Sequence, residues 1–165
     1  MEPFGRLTRL AAAATAVLFA GVNVAEAAAC ALADEKAALD TRVLQSELMV
    51  AALTCGENAR YGVFVKKFEP ILVANGDALR HYFRRAYGGA GETRMNRMVT
   101  QLANAASIRS MSQAKPAYCA SRGQLFSEVL ALRTQDLAGF VSRLSYSGEH
   151  GVRPCTQQAA GDGTR

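Results

Sequence analysis

Residues 34–56, DEKAALDTRVLQSELMVAALTCG, decide the fold. Leu39, Val43, Val50 and Leu53, with Leu44, Leu48 and Ala51 beside them, fall three or four positions apart or at multiples of that spacing, the pattern of a wide helical stripe. Asp34 and Glu35 suit the positive N-terminal end of such a helix, and Cys55-Gly56 supplies its stop. The stripe predicts a helix from Asp34 to about Thr54.

The downstream pattern repeats the theme. Tyr61, Phe64, Val65, Phe68, Leu72, Leu79, Tyr82, Phe83 and Ala86 share helical spacing, but Pro70 and Asn75-Gly76 interrupt it, which predicts two pieces or one kinked helix. Tyr87-Gly88-Gly89-Ala90-Gly91 reads as a flexible turn. A third helix, about Glu92–Met111, places Met95, Met98, Val99, Leu102 and Ala106 on one face, and Pro116 falls in the connection after it. Ser121-Arg122-Gly123-Gln124 fits a capping box, opening a fourth helix. Leu125, Phe126, Val129, Leu132, Leu137, Phe140, Val141 and Leu144 would form its long apolar face, closing near Ser147-Gly148. No alternating strand pattern and no internal repeat is present. The expected fold is an all-α antiparallel bundle of four to five helices.

Upstream, Met1–Ala29 reads as an export signal: Arg6 and Arg9 form a basic start, Leu10–Val24 an apolar run, and Ala25-Glu26-Ala27 an A-x-A cleavage site. The expected organisation is a cleaved signal at 1–27, a bundle domain at 28–150, and a flexible tail at 151–165 tethered through Cys155. About 138 residues then remain, the size of one domain. The apolar run of about 15 residues is shorter than the roughly 20 that a spanning helix needs, so an uncleaved anchor is the lesser reading. Another alternative is a lipoprotein signal, with Cys30 acylated and the protein anchored through it.

All four cysteines, Cys30, Cys55, Cys119 and Cys155, lie after the signal. Four cysteines in an exported chain imply two disulfides, with three possible connectivities. An up-down-up-down bundle brings the end of the first helix to the start of the fourth, which favours Cys55–Cys119 at one end and Cys30–Cys155 at the other. No C-x-x-C and no ligand-like His spacing is present, so zinc and haem are poor readings. No metal and no cofactor is expected.

The whole chain carries 19 Lys and Arg against 14 Asp and Glu; the signal holds Arg6, Arg9, Glu2 and Glu26, leaving 17 against 12. The excess is concentrated: Arg80, Arg84, Arg85, Arg94, Arg97, Arg109 and Lys115 stand against the single acid Glu92 between positions 80 and 115. On a helical hairpin, Arg80, Arg84, Arg85, Arg94 and Arg97 would converge on a cationic tip beside the glycine-rich turn. Such guanidinium groups suit phosphate or carboxylate groups on lipid, glycan or protein. A solvated helix face is the simpler use of the same charges. Nucleic acid fits the charge, but export makes it an unfavoured target.

His81 and His150 could in principle serve as acid and base. One belongs on a helix and the other in the tail, and nothing in the sequence requires them to meet. Met95, Met98 and Met111 could ligate a soft metal, but their spacing fits core positions. The glycine turn lacks the Lys-Ser/Thr of a phosphate-binding loop, and no G-x-S-x-G frames a serine. Glu128 and Asp136 read as a solvated face.

At Cys55-Gly56-Glu57 through Tyr61, Phe64-Val65 and Phe68, with Tyr118-Cys119 and Leu125-Phe126, the chain resembles small exported helical proteins of proteobacteria. The resemblance covers about Ala31–Leu130. It implies a periplasmic, disulfide-linked helical domain and brings no assigned activity or site residues. The expected function is a non-enzymatic periplasmic interaction module, meeting an anionic envelope component or a protein partner through the Arg80–Arg97 region. Membrane contact would require acylation of Cys30 or an uncleaved signal. A holdase for unfolded clients and an enzyme with an unrecognised site are the alternatives.

Overall fold

Helix α1, Ala33–Cys55, is the spine of the molecule and is walled in by every other helix. The computed structural model describes residues 30–155, so the signal at 1–27, its cleavage site and the tail beyond Cys155 lie outside the described residues. Glu35 reaches back from the first turn of α1 and accepts the Leu32 backbone N–H at 2.8 Å, satisfying a donor that the helix itself leaves open. At the other end Gly56 adopts φ 77°, a left-handed conformation that glycine takes without a Cβ penalty, and the Glu57 N–H closes on the Ala52 carbonyl at 3.0 Å. Leu53, placed on the apolar stripe by its spacing, is 72% exposed and shares the open side of α1 with Met49 one turn back.

Helix α2 runs from Asn58 to Tyr87 as 30 residues, about 45 Å at 1.5 Å per residue. It is one helix and not two pieces. Pro70 lies inside it on the solvent side, while Phe64 and Phe68 before it and Leu79, Tyr82 and Phe83 after it are all buried in the core. Burial on both sides of the proline outweighs the hydrogen bond it cannot make.

A 3-10 turn, Gly88–Ala90, reverses the chain into α3, Gly91–Met111. A Cβ on Gly91 would stand 2.7 Å from the Phe83 carbonyl oxygen, so only glycine lets the hairpin close this tightly. Met98, Leu102 and Ala106 are buried on α3, and Met95 and Val99 half-buried. Met111 is 75% exposed and is not a core residue, since α3 outruns its contact with the spine.

The fourth helix differs from its reading. Helix α4 spans Lys115–Ala131, with Pro116 in its first turn, where a missing N–H costs nothing. Ser121, expected to cap it, lies in mid-helix. The apolar face also breaks after Ala131: Leu132 at ψ 150° and Arg133 at ψ 154° are extended, a 3-10 turn follows at Thr134–Asp136, and α5 is only Leu137–Val141. The break lets Leu137 and Val141 enter the core with no exposure, which a straight helix would not have done for both ends of so long a face. A last 3-10 turn, Ser147–His150, packs on α1.

The core has two halves on the one spine. Leu39 and Val43 of α1 pack with Leu79, Tyr82 and Phe83 of α2 and Met98 and Leu102 of α3. Leu44, Leu48 and Ala51 pack with Phe64 and Phe68 of α2, with Tyr118, Phe126 and Val129 of α4, and with Leu137 and Val141 of α5. Both expected disulfides form, Cys55–Cys119 and Cys30–Cys155. The second is reinforced by a backbone bridge between Ala31 and Pro154, with Ala31 N–H to the Arg153 carbonyl at 2.9 Å and Cys155 N–H to the Ala31 carbonyl at 2.8 Å. No strand forms beyond this bridge among the described residues, and the domain is all-α. Two disulfides suit an oxidising compartment. No described helix is long and apolar enough to cross a membrane.

Candidate functional site

Arg80 and Arg84, one turn apart near the end of α2, line a pocket of about 340 Å³ with Phe83, Gly88, Gly89, Gly91, Glu92 and Met95. The hairpin builds it: the turn glycines carry no side chain into the space, and a Cβ on Gly88 or Gly89 would meet nothing within 4 Å. Arg80 is held by Asp77 one turn back, in an exposed pair. Arg84 and Glu92 are exposed, and neither has a side-chain hydrogen bond or ion pair among the described residues. Arg94 sets its guanidinium 5.5 Å from the centre of the Tyr87 ring, a cation-π contact that leaves its edge donors open. Arg97 is exposed on the next turn of α3.

Arg85 has a different place. Its Nη2 meets Glu35 Oε2 at 2.5 Å and the Cys30 carbonyl at 2.9 Å, and its Nε meets Glu35 Oε1 at 3.2 Å. The fifth guanidinium of the predicted tip therefore faces inward and ties α2 to the start of α1. His81, one turn earlier, lies 3.3 Å from Glu35 through Nδ1 while keeping its ring largely in solvent. Burial raises the Glu35 carboxyl, but Arg85, the Leu32 N–H and His81 more than reverse this and hold it below its ordinary range.

Two further carboxylates are buried on the spine. Asp40 accepts from Lys36 at 2.6 Å and faces His150 Nε2 at 2.9 Å. The other nitrogen of His150 accepts the Val152 N–H at 3.0 Å, which leaves Nε2 as the donor to Asp40. Burial raises Asp40, and His150 with Lys36 brings it below its ordinary range. His150, expected in a loose tail, is a core residue, because the Cys30–Cys155 link draws the segment before it onto α1. The two histidines face different carboxylates, and nothing joins them.

Glu47, with no exposed surface, bonds Arg109 of α3, whose Nε lies 3.0 Å from Oε1, and stands 3.5 Å from Arg122 of α4. Arg109 continues to Glu149 at 2.5 Å. The Arg122 guanidinium lies 5.3 Å from the Tyr118 ring centre and 5.7 Å from that of Tyr146. Burial pushes the Tyr146 phenol up to about 12. The Tyr118 and Tyr146 hydroxyls, Arg122 Nε and Glu47 Oε2 are buried without a hydrogen-bond partner among the described residues.

Glu35, Asp40 and Glu47 are the residues that sequence reasoning missed. The available signal was α1 itself: a helix apolar on nearly every side buries its polar residues too. The acid-poor stretch from Arg80 to Lys115 was the matching half, since Arg85 and Arg109 neutralise Glu35 and Glu47. No three His, Cys, Asp or Glu side chains gather as a metal site among the described residues. Neither the known protein families, nor the curated proteins, nor the solved structures contain a match to this chain.

Proposed function

We propose that this protein is a periplasmic binding module that recognises an anionic component of the cell envelope through the tip of the α2–α3 hairpin. The observation that carries the reading is the pocket lined by Arg80 and Arg84 and by the turn glycines; Arg94, set against the Tyr87 ring, and the exposed Arg97 follow on α3. Arg85 and Arg109 belong to the scaffold, so the contact surface is narrower than the basic stretch of sequence. Arg80 is engaged by Asp77, but the Arg84 guanidinium, which no described carboxylate pairs, favours an oxyanion from outside. The export signal and the two disulfides support a periplasmic site of action, with cleavage before Ala28 and Cys30 kept for its disulfide.

The test uses the oxidised protein and vesicles containing anionic phospholipid or isolated envelope fragments. Replacing Arg84, Arg94 and Arg97 together with Ala should weaken binding about tenfold at low salt, and added salt should weaken the parent protein in the same direction. Circular dichroism of the triple variant should match the parent, because none of the three side chains holds the fold. Binding that survives both the substitutions and high salt would sink the proposal.

A further inference from the structure

The tip pocket combines two guanidinium groups with a carboxylate. Arg84 from α2 and Glu92 from α3 line the same space without pairing to each other or to any other described side chain. A site built for a bare anion would not keep a carboxylate in its wall, because like charges repel. The carboxylate is useful when the ligand also brings hydroxyl donors, since an ionised carboxylate is acceptor-only. Phe83 and Met95 add apolar surface, and Gly88 and Gly89 leave the backbone open to close approach. The volume of about 340 Å³ falls at the small end of ligand pockets, roughly 300–1,000 Å³, which suits a compact polar ring and not an acyl chain or a folded partner.

Resting on the reading of the tip as an anion site, we propose that the pocket takes an acidic saccharide unit, a sugar ring bearing a carboxylate or a phosphate. Arg84 receives the acid group, with Arg80, held by Asp77, beside it. Glu92 accepts from ring hydroxyls, and the C–H face of the ring lies toward Met95 and Phe83. Glu92 thereby acts as the residue that separates a sugar acid from a simple anion.

Titration of the full oxidised chain, followed by amide chemical shifts, tests this with glucuronate, glucose 6-phosphate, neutral glucose, acetate and inorganic phosphate. The two sugar acids should bind about tenfold tighter than the other three, with shifts centred on Arg84, Gly88–Gly91 and Met95. Glu92→Ala should remove the advantage over phosphate while leaving phosphate binding equal or tighter. Arg84→Ala should weaken every anion. Equal binding of sugar acids and phosphate by the parent protein would overturn the saccharide assignment and leave the anion reading standing. No binding of any anion, with Arg84→Ala inert, would remove both. An acidic oligosaccharide binding more tightly than the single sugar would place the ligand in a polymer; equal affinity would point to a free sugar acid.

Discussion

Glu47 is the side chain on which α1, α3 and α4 converge, and its removal isolates the effect of one buried charge. It has no exposed surface, while Arg109 and Arg122 retain 27% and 13% of theirs. Taking away the carboxylate would leave the partly buried Arg122 with only the faces of the Tyr118 and Tyr146 rings, and Arg109 with Glu149 alone. Breaking a buried ion pair from one side costs about 3–5 kcal/mol, whereas a surface charge is worth less than about 1. Glu47→Ala should therefore lower the urea midpoint sharply, and Arg84→Ala should leave it unchanged within about 0.5 kcal/mol. Equal midpoints for Glu47→Ala and the parent would show that the cluster is not stabilising as drawn. The contrast also separates the two kinds of arginine that the sequence presents side by side: Arg85 and Arg109 serve the fold, and Arg84 and Arg97 are free of it.

Helix α2 shows how local propensity yields to packing. Pro70 and Asn75-Gly76 argued for a break, and the helix runs through them because Phe64 and Phe68 before them and Leu79, Tyr82 and Phe83 after them are buried in the two halves of the core. Pro70 remains a cost, since its ring clashes with the preceding turn and the Lys66 carbonyl loses its donor. Pro70→Ala restores that bond at an exposed position, so it should stabilise the protein by about 1–3 kcal/mol and raise the melting temperature. A fall would mean that the proline sets a bend needed to seat both Phe68 and Leu79. The bundle, the disulfide pairing, the hairpin tip and the face of α3 were legible because each rests on periodicity or connection length. The start of α4 and the break at Leu132-Arg133 were not. Ser121 and Gln124 match a cap in spacing alone, while Pro116 carries the actual signal as a first-turn proline. The break is a tertiary effect, in which Leu137 and Val141 gain burial that no local pattern records. Half of the site was readable in the same sense: Arg80, Arg84 and the glycines follow from the hairpin, but the inward turn of Arg85 depends on Glu35 of another helix.

At the scale of the whole molecule, two disulfides clamp the ends of the spine and buried carboxylates pin its length. Closing loops with sequence separations of 64 and 125 restricts the unfolded chain, by about 4–5 kcal/mol for either link taken alone in the chain-entropy model. The loops are nested, so the second link adds less than the first. That stabilisation is independent of pH, which leaves the carboxylates to set the acid limit. Glu35 and Asp40 both titrate below their ordinary values of 4.5 and 3.8. Where the folded value lies below the unfolded one, the unfolded state binds more protons, and stability rises with pH through that interval. The contribution is complete above the ordinary carboxylate range and is lost as pH falls through the depressed folded values. Asp136 is held low by Arg133 as well, but at the surface, where water screens the pair. As far as these carboxylates set it, unfolding free energy should thus be level between about pH 7 and 5 and should fall steadily below pH 4.5. Glu35→Gln with Asp40→Asn should be less stable at pH 7, having lost two charge-assisted pairs, yet its decline below pH 4.5 should be shallower than that of the parent. Denaturant midpoints across pH 2.5–7 give the comparison directly. Parallel acid limbs in the two proteins would assign acid sensitivity to carboxylates other than the two on the spine.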